Sequence, residues 1–200
     1  MTAKDRLHLT GTGGSPLGHG TDLFRSVLAA FDRQAYPTPI TIRLGPAQAE
    51  TVDLGRFKLV VDIDDRTASN PLRWTHDYEP HVRRFVESVV RPGMTAVDIG
   101  ANIGFTTMTL AALVGSGGKV FAFEPNSENC RLILLSAAAN DFRHVTLFPM
   151  ALDENDGTVF LSSAIGSNGS LMPAQIETLL HPNCVVVSAA RLDRLVNERV

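Results

Sequence analysis

The chain is 200 residues long, 44% hydrophobic and 20% charged, with a formal net charge of −3. That length suits one domain, or one domain with a small appendage, and the charge excludes the polybasic footprint of a nucleic-acid binder. No apolar run approaches the ~20 residues that cross a bilayer, and the first six residues lack the apolar core of a secretory signal, so a cytoplasmic protein is expected.

Residues 1–20 read as a flexible leader. Their glycine-rich stretch, 11–20, has no lysine and so cannot end as a phosphate-binding loop does. Residues 21–75 form a second block. Thr21 or Asp22 can cap a short helix with Leu23, Val27, Leu28 and Phe31 on one face, and Pro37 and Pro39 end it. Short, partly alternating segments at 41–44, 51–54 and 57–63, broken by Gly45-Pro46 and Gly55-Arg56, suggest a small antiparallel sheet. Asp62, Asp64 and Asp65 lack the glycine turn and distal glutamate of a calcium loop, so they read as a solvated strand end and no metal site is expected. The only two cysteines, Cys130 and Cys184, read as reduced and buried.

From residue 76 onward the pattern changes to alternating helix and strand. A helix at 80–90 carries Val82, Phe85, Val86 and Val89 at helical spacing, and Arg91-Pro92-Gly93 stops it. A buried strand follows at 95–99, a helix at 105–114, a second strand at 119–124, and a helix from Asn126 or Ser127 to about Asn140. A third strand spans 144–148. Such alternation at short spacing is the signature of right-handed crossovers in a parallel sheet, hence a Rossmann-like α/β fold. The pattern then breaks at the turn 153–157. Residues 158–161 return as a hairpin strand, a Ser/Gly/Asn loop covers 162–170, 185–187 form a short strand, and a helix starts near Leu192.

The chemistry is concentrated where the first two of these parallel strands end. Gly100 and Gly104 flank a turn that lets backbone approach a ligand closely. The spacing is Gly-x-Asn-x-Gly, not the Gly-x-Gly-x-x-Gly that cradles a dinucleotide pyrophosphate at a helix N-terminus. Asn102 can instead offer amide and carbonyl groups to the amino-acid end of S-adenosylmethionine (SAM), which has no phosphate. Glu124, closing the second strand, can accept both ribose hydroxyls, and Asp98 at the loop base can hold the loop or a bound water.

These residues resemble a known group, the FkbM-type SAM-dependent methyltransferases. The matching stretches are 95–107, 120–126 and 145–157, with Tyr78-Glu79-Pro80 ahead of them. The resemblance implies an SAM-binding methyltransferase domain over 76–200. It implies that Gly100, Asn102 and Gly104 line the methionine end, with Glu124 on the ribose. Pro125 and Asn126 would shape the adenosine side, Met150 and Ala151 would lie beside the adenine, Tyr78 would close over the cofactor, and Thr107 would reach the methionine carboxylate. Met150 and Tyr78 are equally readable as packing residues, and Thr107 as a helix residue bonding its own backbone.

The family builds a seven-stranded sheet, and three parallel strands are legible here, so the domain is expected to be incomplete at its C-terminal side. That leaves the edge of the first parallel strand open to self-association or to a partner. The expected activity is O-methylation of a small hydroxylated acceptor, a metabolite, sugar or natural product. The alternatives are a non-catalytic SAM-binding or interaction module and, disfavoured by Asn102 and the glycine spacing, an NAD-dependent oxidoreductase. No catalytic base can be assigned; His76, His81 and His144 are candidates by residue type alone.

Overall fold

The computed structural model describes residues 49–165, 167–172 and 183–197. The expected leader, the helix after Thr21 and the strand at 41–44 lie outside the described residues.

Two strands open the described chain, β1 (Ala49–Asp53) and β2 (Lys58–Asp62), paired antiparallel around Gly55. Helix α1 (Ser69–Thr75) follows, then α2 (Pro80–Val89). The alternating block is next: β3 (Thr95–Ile99), α3 (Phe105–Val114), β4 (Lys119–Phe123), α4 (Ser127–Ala139) and β5 (Val145–Phe148). The strands form a parallel sheet in the order β3-β4-β5, the crossover architecture expected of the sequence. Helix α3 is apolar all round because it touches β3 and β4 and also packs against α2 and α4. Asn126 caps α4, its side chain accepting the Glu128 amide at 3.0 Å.

The hairpin docks on α4 through two polar side chains. Ser136 accepts the Val60 amide at 2.8 Å, and Asn140 both accepts the Lys58 amide and donates to the Lys58 carbonyl. Leu59, Val61 and Leu72 therefore share one apolar core with Ile103, Met108, Ala122, Ile133 and Leu147.

The remainder departs from the expected hairpin. Strand β6 (Ala151–Leu152) pairs parallel with β9 (Cys184–Ala190), while β7 (Gly157–Ile165) pairs antiparallel with both β9 and β8 (Asn168–Met172). The turn at 153–157 thus leads to a strand on the far side of β9, and strand fills most of the expected 162–170 loop. Helix α5 (Leu192–Asn197) closes a second apolar cluster, in which Leu192 and Leu195 pack against Phe123, Phe148 and Met150.

Two further expectations change. Strand β3 is not buried: with β4 as its one ladder partner among the described residues, Val97 and Ile99 stay exposed, Ile99 by 59%. Helix α2 beside it buries no residue fully, and Phe85 is 66% exposed, because Val86 and Val90 alone of its apolar face reach the core. Cys130 is buried and Cys184 half-buried, and both are free. No described helix is long and apolar enough to cross a membrane.

Candidate cofactor site

Register brings the two strand ends together. Ile99 is level with Phe123 across the β3–β4 ladder, so Gly100 and Glu124 leave neighbouring strands side by side. The loop is then stitched to the end of β4. The amides of Gly100 and Ala101 donate to the Phe123 carbonyl at 2.9 and 3.0 Å, and the Asn102 amide donates to Glu124 Oε2 at 2.7 Å. The Gly104 amide folds back to the Ala101 carbonyl.

That path requires left-handed backbone at three positions, Gly100 (φ 73°), Asn102 (φ 52°) and Gly104 (φ 92°). Asparagine tolerates this conformation better than most side chains, which gives Asn102 a backbone reason beside its chemical one. The two glycines differ. A Cβ at Gly104 would meet Ile133 Cγ1 at 2.8 Å, whereas one at Gly100 would point into open space. Gly104 seats the loop on α4, and Gly100 keeps its outer side clear.

Glu124 is 5% exposed. Its Oε1 accepts the Asn126 amide at 2.8 Å and Asn129 Nδ2 at 3.3 Å. Burial pushes its carboxyl up to about 7, against the pull of the Asn126, Asn102 and Asn129 hydrogen bonds. Burial likewise raises the carboxyl of Asp98, whose Oδ2 accepts the Thr107 hydroxyl at 2.5 Å. Thr107 therefore braces the base of the loop through Asp98 and does not bond its own backbone. Cys130, one turn into α4, donates its thiol to the Glu124 carbonyl at 3.0 Å, and burial holds that thiol well above its usual range.

One atom in this cluster lacks a partner among the described residues. Asn102 Nδ2 donates to Asn168 Oδ1 at 2.8 Å, while Asn102 Oδ1 is buried with no hydrogen bond from any of them. An orphaned buried acceptor costs about 1–3 kcal/mol, and a ligand donor removes that cost. The orphan acceptor, the open side of Gly100 and the buried acid fit a molecule carrying an ammonium group and a ribose. A pyrophosphate fits less well, since the amides of Gly100, Ala101, Asn102 and Gly104 already have protein acceptors.

The other expected positions are placed as follows. Tyr78 is half-buried and packs edge-on to Phe105 at 6.1 Å, its phenol pushed up by burial and by the charges of Glu79 and Asp65. Pro125 and Asn126 bridge Glu124 to α4. Met150 is buried beside the stacked pair Phe123 and Phe148, and Ala151 is buried in β6. His144 is bonded to the Ala111 carbonyl at the start of β5, the opposite end of the sheet from the loop.

Sequence reasoning missed Asn129 and Asn168, and it misread Asp65 as part of a solvated strand end. Asn129 lies in the first turn of α4, where it faces back to the strand end it follows; that spacing was available. Asp65 is not solvated. It is 7% exposed and accepts from the amides of Thr67, Ala68 and Ser69, both of the Thr67 and Ser69 hydroxyls, and the Ser167 amide. Burial pushes its carboxyl up, but these hydrogen bonds outweigh it and hold the group well below the usual carboxylate range.

Residues 98–200, just over half of the chain, match the methyltransferase FkbM domain. The chain belongs to this family. The family is the SAM-dependent methyltransferase group that the loop and strand-end residues resemble. No curated protein matches the chain. Among solved structures, a SAM-dependent O-methyltransferase from Thermotoga maritima is similar at 29% identity over 36% of this chain and 29% of its own, with a TM-score of 0.32. A SAM-dependent methyltransferase from Agrobacterium tumefaciens is similar at 11% identity over 52% and 32%, with a TM-score of 0.38. The chain thus spans about a third of the length of these two structures, and the assignment rests on the domain match.

Proposed function

We propose that this chain binds SAM at the shared edge of β3 and β4 and serves as the donor side of a methyltransferase acting on a hydroxyl of a small metabolite, sugar or natural product. The observation that carries the reading is the pairing of the buried Glu124 carboxylate with the Asn102 loop. It sets an acceptor for ribose hydroxyls beside an orphaned acceptor, Asn102 Oδ1, suited to the ammonium of an amino acid. Gly100 leaves the approach open, and Asp98 with Thr107 fixes the loop base. Pro125 and Asn126 then border the adenosine, Met150 and Ala151 the adenine, and Tyr78 the outer side. When bound, SAM supplies an electrophilic methyl group; the chain's residues hold and orient the donor so that an acceptor oxygen can approach it in line. The exposed edge of β3, with Val97 and Ile99, is read as the surface for self-association or for a partner.

Calorimetric titration with SAM, S-adenosylhomocysteine and NAD tests the donor assignment. Heat with the first two and none with NAD is expected. Heat with NAD alone overturns the reading in favour of an oxidoreductase. Methylated product from a panel of hydroxylated small molecules tests the acceptor class, and binding without product against any of them favours a non-catalytic module.

A further inference from the structure

Within the protein, Glu124 has little acceptor capacity left. A carboxylate offers about four lone-pair positions. Asn126 N and Asn129 Nδ2 occupy Oε1, and Asn102 N occupies Oε2. With the donors of the described residues in place, a ribose diol brings two O–H donors to one remaining position, so one internal donor must yield. The Asn102 and Asn126 amides are backbone groups fixed by the loop and by the helix cap. Asn129 is a side chain, it makes the longest of the three bonds at 3.3 Å, and it has a second acceptor. Its Nδ2 also donates to the Ser167 carbonyl at 2.9 Å.

Ser167 and Asn168, at the head of β8, are held to the rest of the fold from two sides. The Ser167 amide donates to Asp65 at 3.3 Å and its hydroxyl lies 2.9 Å from that of Thr67. Asn168 Oδ1 accepts from Asn102 Nδ2. Asn129 is 3% exposed and stands between this corner and Glu124.

We propose that Asn129 is a positioning residue that couples ribose binding at Glu124 to the Ser167–Asn168 corner: the ribose takes the place of the Asn129 amide on Glu124, and the amide then holds the Ser167 carbonyl alone. The corner, already bonded to Asn102, is thereby tightened against the donor loop. The proposal rests on the SAM reading for the identity of the ligand, and on the ligand-free geometry for the clamp.

The test is residue-resolved amide exchange at Ser167 and Gly169, whose own amide donates to the Ser167 carbonyl, with S-adenosylhomocysteine as the probe. In ligand-free Asn129→Ala, exchange at both amides is expected to be about tenfold faster, with Gly100 unchanged. The ligand is expected to slow both amides in the wild type and not in the variant. The Glu124 carboxyl, followed by carbon-13 NMR, is expected to titrate at higher pH in the variant, because a donor to its ionised form is gone; a role confined to packing would leave that midpoint in place. Unchanged ligand-free exchange, an unmoved midpoint, or an equal ligand response in both proteins overturns the proposal. Should Asn129→Ala not fold, the near-isosteric Asn129→Leu, which removes the same two donated bonds without leaving a cavity, serves instead: faster exchange at Gly169 and a raised Glu124 midpoint support the clamp, and no change in either overturns it. A wild-type chain that takes up no S-adenosylhomocysteine overturns the SAM reading and the ribose step with it, while the clamp is decided by the ligand-free comparison.

Discussion

The Glu124 carboxylate accepts the backbone amide of Asn102 at 2.7 Å, so the acid that ends β4 fixes the loop that ends β3. The two halves of the proposed site, the Asn102 loop and the Glu124 strand end, are mechanically one unit. Disturbing either residue should disturb both halves.

The two loop glycines should respond differently to alanine. At Gly104 the added Cβ meets Ile133 at 2.8 Å on a backbone of φ 92°, so Gly104→Ala should lower stability by about 2–4 kcal/mol. At Gly100 there is space and the penalty is conformational, about 1 kcal/mol. Urea denaturation of both variants checks this, and equal losses would contradict the assignment of Gly104 to packing.

The pH dependence of the site follows from Glu124. Burial raises its carboxyl from 4.5 to about 7, so the folded state holds this proton over a range in which the unfolded state has lost it. Stability from this group is therefore greatest below pH 4.5 and declines as pH rises through about 7. Ribose hydroxyls donate best to the ionised form, and Asp98 is the charged neighbour that opposes ionisation. Affinity for S-adenosylhomocysteine should rise from pH 5.5 to about 7 and then level off, with a flat profile in Glu124→Gln. A wild-type profile falling with pH would contradict the role given to the carboxylate.

Asp65 has the opposite sign. Its folded pKa is depressed below the ordinary 3.8, so the stability it contributes is present above that value and is lost as pH falls further. Asp65→Ala removes the acceptor for the segment entering α1 and for Ser167, and should cost about 2–4 kcal/mol. Denaturation at pH 7 measures the cost; a loss under 1 kcal/mol would show that water replaces the carboxylate.

The β3–α3–β4–α4–β5 block was legible because each part is signalled locally. Pro92-Gly93 and the glycines at 115–118 punctuate the chain, short apolar-rich segments make the strands, and Asn126 supplies the cap. The same locality exposed Gly100, Asn102 and Glu124. What remained hidden depends on distant pairings. Ser167 reaches Asp65 across 102 positions and Asn102 reaches Asn168 across 66, and nothing near either residue announces its partner. The order β6-β9-β7-β8 was hidden for the same reason, since β9 inserts between two strands that adjoin in sequence.

Among the described residues β3 is an edge strand, and its Val97 and Ile99 are exposed. Self-association at micromolar concentration is expected by light scattering, and Ile99→Lys, which places a charge on the edge, should shift the population toward monomer. A wild-type chain that stays monomeric and melts cooperatively would contradict this use of the edge.

The most direct measurement is calorimetric titration of S-adenosylhomocysteine into the wild type and Glu124→Ala. Binding by the wild type, weakened by about 1.5–3 kcal/mol in the variant, is the result expected of a carboxylate that bonds the ribose. Equal affinity in the two proteins, or heat from NAD in place of S-adenosylhomocysteine, would contradict a SAM site built on Glu124 and the Asn102 loop.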